Sequence, residues 1–110
     1  MNRGTVVLIL FLAALLEAGG DAVIRSALHR PSGAIRVLTF ALGAALLFAY
    51  GYTVNAPPWD FGRLLGLYVV FFFLVAQAIS WIGFGQRPSL AVVCGGALII
   101  GGGIVIAVFQ

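Results

Sequence analysis

The chain has 110 residues, 63% hydrophobic and 8% charged, whereas soluble domains carry about 25% charged residues. That balance excludes a water-facing globular domain, and four long apolar stretches use nearly the whole length. The net charge of +3 comes from six arginines scattered among short polar segments, so the contiguous basic stripe that nucleic acid requires is missing.

A hydrocarbon core about 30 Å thick is crossed by about 20 apolar residues in a helix. The first predicted helix covers residues 5–28: it opens with TVVLILFLAALL and then admits Glu17, Gly19, Gly20, Asp21 and Arg25. His29 to Gly33 form a turn, and the second helix covers 34–54, with Arg36 near its start. Asn55, Ala56, Pro57 and Pro58 stop it, because consecutive prolines remove backbone donors and impose extended geometry. The third helix covers 61–84, with Asp60 as an N-terminal cap, and Gly85 to Pro88 turn the chain into the fourth, 89–109. Connections this short predict antiparallel neighbours. The expected fold is an all-α integral membrane domain, residues 1–110, with four transmembrane helices in an antiparallel up-down bundle.

A signal peptide is the rival reading of the first stretch, because Arg3 precedes its apolar run. A spanning helix is preferred, since apolar character resumes after Asp21. Arg25, Arg30, Arg36 and Arg87 flank the first and third turns, whereas Arg3 and Arg63 lie at the opposite ends. The positive-inside rule then places both termini outside the cytoplasm, with a bias small enough to permit dual insertion. Trp59 and Trp81 suit interfacial belts at opposite ends of the third helix. Cys94 is the single cysteine, which excludes an intrachain disulfide and a cysteine metal site. No cofactor or metal is expected.

Glu17 is the most informative residue. It lies about a dozen residues into the first helix, at about 1.5 Å per residue, and so near mid-membrane. Intramembrane carboxylates usually face a bundle interior or aqueous cavity and mark ion or substrate paths; such a group can hold a proton or a cation. Asp21 and Arg25 follow at four-residue steps on the same helix face, and an Asp21–Arg25 pair is the preferred reading of Asp21 over a direct proton or substrate role. Gln77 and Ser80 are polar positions that face other helices. In the fourth helix, seven-residue spacing returns Gly95 with Gly102, and Gly96 with Gly103, to one face. That stripe predicts close helix packing, within the chain or between copies. Phe71, Phe72 and Phe73 read as lipid or core contacts.

The glutamate in LLEAGGDA, the turn SWIGFGQRPSL and the Gly95–Gly102 spacing together resemble the small multidrug resistance family of four-helix exporters. NAPPWDFGRLLGLY also looks like the YnfA-type branch of that superfamily. The resemblance covers nearly the whole chain. It implies a homodimer, often antiparallel, in a bacterial-type cytoplasmic (inner) membrane, exchanging protons for a small cationic or amphipathic substrate. On that pattern Glu17, with Asp21, is the coupling site, and Gly95 and Gly102 lie at the dimer seam. Tyr68 stands at an aromatic position of the substrate pathway, joined there by Arg63 and Gln77. Leu65 stands where those exporters commonly carry a tyrosine.

The expected function is therefore proton-coupled efflux by a dimer. A subunit that flips lipid-linked molecules and a non-transporting assembly partner, such as half of a heterodimer, are the alternatives. Enzymatic catalysis comes last, because no nucleophile, base and orienting group recur at a recognisable spacing.

Overall fold

A computed structural model describes residues 1–109, and these form four helices: α1 (Arg3–Leu28), α2 (Ala34–Val54), α3 (Phe61–Phe84) and α4 (Leu90–Phe109). All four are long and apolar enough to cross a membrane. The second and third match the predicted spans, and the other two differ at their N-termini for local reasons. The Asn2 side-chain oxygen accepts the Thr5 amide at 2.8 Å, which starts α1 before its apolar run. Ser89 does the same for Val92 at 3.2 Å, so it caps α4 instead of opening it.

Asp60 occupies the position preceding α3 without a side-chain capping bond. Only its backbone carbonyl takes part, accepting the Leu64 amide at 2.9 Å. The predicted side-chain cap is thus replaced by the ordinary first helical bond. At the other end Gly85 adopts φ 67°, the left-handed conformation that glycine enters without a Cβ clash. There the Gln86 amide reaches back to the Ser80 carbonyl at 3.0 Å, closing the helix end.

Small residues make α1 the central element. Ala13, Ala14, Ala18 and Gly20 are buried with Val6 and Leu10, and small side chains allow backbones to approach closely. Gly20 faces Leu46 and Leu47 of α2, while Gly43 of α2 faces Ile24; later residues of α1 thus meet earlier residues of α2. Arg36 donates from Nε to the Ala27 carbonyl at 3.2 Å, satisfying a group that the end of α1 leaves free. A neighbouring face of α1 meets α3, and α3 in turn carries α4. The molecule is 19 Å along its shortest axis, about two helices thick given a helix diameter of about 10 Å.

The two glycine pairs of α4 separate. A Cβ at Gly96 would meet the Phe73 ring at 2.5 Å, and one at Gly103 would run into Val70, whereas Gly95 and Gly102 have open space. The first pair docks α4 on α3 and the second faces away.

The same geometry gives a stability test. A Cβ at Gly20 would come within 2.8 Å of Leu47 Cδ2, while nothing lies within 4 Å of a Cβ at Gly19. Gly20→Val is expected to destabilise the protein by about 1–3 kcal/mol, the usual range for overpacking. Gly19→Ala is expected to be at least as stable as the parent, because alanine fits the open space and is the better helix former. Thermal unfolding of both variants in the same detergent measures the difference.

Candidate functional site

Glu17 lies 14 residues from Arg3 and 11 from Leu28, about 21 Å and 16 Å along the helix axis at 1.5 Å per residue. It is half-buried. The Tyr68 hydroxyl donates a hydrogen bond of 2.8 Å to its Oε1. Tyr68 is itself 4% exposed, so α3 presents its hydroxyl to α1 from within the core. Tyr50 of α2 lies against the Tyr68 ring at 5.6 Å between centroids, and Phe72 lies on its other flank at 6.3 Å. Two helices, α2 and α3, thus bring three aromatic rings together beside a mid-helix carboxylate of α1.

Phe72 links this cluster to a cavity of about 280 Å³ between α1 and α3. Ala18, Ala22 and Ala76 give it room, Asp21 supplies a second carboxylate, and Arg25, Phe84 and Gln86 stand at the far end. Asp21 is exposed, one turn from Glu17. The expected Asp21–Arg25 pair gives way to another contact: the Arg25 guanidinium lies 5.5 Å from the centroid of the Phe84 ring. Phe84 is on the neighbouring helix, so a cation–π contact draws the arginine across the gap instead of along its own helix. Asp21 and Arg25 both remain on the wall of the cavity without pairing to each other.

Of the sequence-predicted residues, Glu17, Asp21 and Tyr68 come together. Arg63 and Gln77 do not join them. At about 100° per residue, Arg63 sits about 140° and Gln77 about 180° around α3 from Tyr68. Gln77 lines a separate apolar cavity with Phe73, Pro88 and Gly96 between α3 and α4. Arg63 borders a cavity at the N-terminal ends of α1 and α3. Tyr50 and Phe72 are additions to the site. Nothing in the sequence distinguishes Tyr50 from Tyr52, whereas Phe72 follows Tyr68 by four residues and shares its face.

No protein-family model, curated protein or solved structure matches this chain.

Deleting the Tyr68 hydroxyl isolates its contribution. Tyr68→Phe preserves the ring and removes the donor to Glu17, and a hydrogen bond to a charged group contributes about 1.5–3 kcal/mol. The expected result is a loss of stability of that order, read as a lower unfolding temperature, with the helical fold unchanged by circular dichroism. Thermal unfolding of variant and parent in the same detergent measures it.

Proposed function

We propose that the chain spans a bacterial-type inner membrane four times as an antiparallel up-down bundle. Paired with a second copy, it acts as a proton-coupled exporter of small cationic or amphipathic compounds. The observation that carries this reading is the Glu17–Tyr68 hydrogen bond, which places a carboxylate inside an aromatic cluster at the midpoint of an apolar helix. Phe48, Ile82, Leu98 and Phe109 are each more than three-quarters exposed, a surface suited to lipid and unsuited to water.

The chemistry follows from these groups. A carboxylate beside aromatic faces attracts an organic cation by charge and by the ring quadrupole. A proton on the same oxygen removes that attraction, so proton and substrate exclude one another and either gradient can drive the other. The cavity of about 280 Å³ falls just below the usual range for ligand pockets, about 300–1,000 Å³, which favours a second copy completing the site. It lies toward the α1 end that carries Arg25, Arg30 and Arg36, the cytoplasmic end by the positive-inside rule. Substrate would thus load from the cytoplasm.

A panel of organic cations assayed in proteoliposomes under imposed pH gradients tests the reading. Pumped uptake that dissipates the gradient supports it, and absence of exchange for every cation contradicts it.

An apolar groove of about 450 Å³ on the outer face of α1 and α3, lined by Phe11, Leu15, Leu74 and Ile82, favours a second reading, a subunit that moves lipid-linked molecules. Thermal stabilisation by lipid extract but not by soluble cations would select it.

A further inference from the structure

At the end of the molecule remote from Asp21, a cavity of about 190 Å³ is bordered by Arg3 of α1, Trp59 and Arg63 at the start of α3, and Ala107 of α4. Among the described residues, two cationic side chains line it and no acidic one does. The Arg63 guanidinium lies over the Trp59 indole, 4.4 Å from the ring centroid, and its Nε is buried without a hydrogen-bond partner. A buried donor without an acceptor is costly, and a guanidinium stacked by its face still has in-plane N–H groups for an anion. Val7 follows Arg3 by one turn, and Leu67 and Phe71 follow Arg63 by one and two turns, all on the wall of the same cavity. An apolar strip thus continues about 12 Å along the helices from the charged rim.

We propose that this cavity is a binding site for an anionic phospholipid. The phosphodiester accepts hydrogen bonds from Arg3 and Arg63, Trp59 supports the headgroup at the interface, and an acyl chain follows Val7, Leu67 and Phe71. Charge at the rim and hydrocarbon below it match the two parts of such a lipid, whereas a free phosphate would use only the rim. The site rests on the membrane-spanning reading of the helices and is independent of Glu17 and of transport.

The full chain carrying Trp81→Phe, in maltoside detergent, leaves Trp59 as its single tryptophan. Brominated phosphatidylglycerol is expected to quench Trp59 at lower concentration than brominated phosphatidylcholine, by about fivefold for each arginine engaged. Arg3→Gln with Arg63→Gln should abolish the preference, while Arg30→Gln with Arg87→Gln, the same charge change at the other end, should retain it. Equal quenching by both lipids in the unsubstituted-arginine protein overturns the site, even if the double variant fails to fold. So does equal loss of preference in the two arginine pairs, which would mark bulk electrostatics. Competition by inorganic phosphate as effective as by the lipid would identify a free-anion site and overturn the lipid assignment. Vesicle flotation resistant to alkaline carbonate reports insertion separately: a protein that inserts without lipid preference lacks this site, and one that fails to insert contradicts the membrane reading as well.

Discussion

Proteoliposomes containing the Glu17→Gln protein are expected to show no substrate-driven proton movement above that of empty vesicles. The substitution is narrow. An amide oxygen can still accept the Tyr68 hydroxyl, whose 2.8 Å bond is the main polar link between α1 and α3 at mid-depth, so the helices stay together. What disappears is the exchangeable proton and the negative charge that competes for it. Because proton and substrate exclude one another, wild-type affinity should fall as pH drops through the titration range of Glu17, by up to about tenfold per pH unit for one carboxylate. The variant should bind weakly with no such slope. Persistence of coupled proton movement in Glu17→Gln would rule the mechanism out. Asp21→Asn, at the exposed position one turn away, should weaken binding while preserving the pH dependence.

The second large effect is expected in α4. If the proposed dimer packs through this row, Gly95→Leu with Gly102→Leu should yield monomers without loss of helical fold, since neither position has an atom within 4 Å of an added Cβ. Each bulky side chain enters a seam from both copies, and overpacking at about 1–3 kcal/mol per site raises the dissociation constant by tenfold or more. Gly96→Leu with Gly103→Leu should act differently. Those positions abut Phe73 and Val70 of α3, so the pair should lower the unfolding temperature of the monomer itself. Light scattering in detergent, combined with thermal melts, distinguishes dissociation from unfolding. A Gly95/Gly102 variant with unchanged mass would place the dimer seam elsewhere.

Much of this architecture is legible in the sequence because hydrocarbon thickness constrains helix length so tightly. Apolar run lengths located all four helices, and the position of Glu17 within its run predicted its place near the middle of α1. The glycine spacing revealed two stripes about 100° apart, but periodicity alone cannot say which one α3 fills. That depends on the bulk opposite, Phe73 and Val70. Pairings across helices were harder to see. Tyr68 reaches a carboxylate 51 positions away, and only the relative rotation of α1 and α3 decides that it, rather than Leu65, faces Glu17. Helical angles did carry information about Arg63 and Gln77, which lie on other faces of α3 than Tyr68. The redirection of Arg25 to Phe84 required knowing that α1 and α3 end side by side.

The manner in which α4 is attached divides the chain by time of synthesis. Tyr50, Tyr68 and Phe72 all precede it, and the cavity beside Asp21 is finished by Gln86. A ribosome that has reached Gln86 has therefore already supplied every residue of this chain that lines the cavity or bonds to the carboxylate. The twenty residues of α4, Leu90–Phe109, add a docking face on α3 and an open glycine row beside it. On the proposed reading, the carboxylate site is encoded ahead of the surface that would meet a second copy.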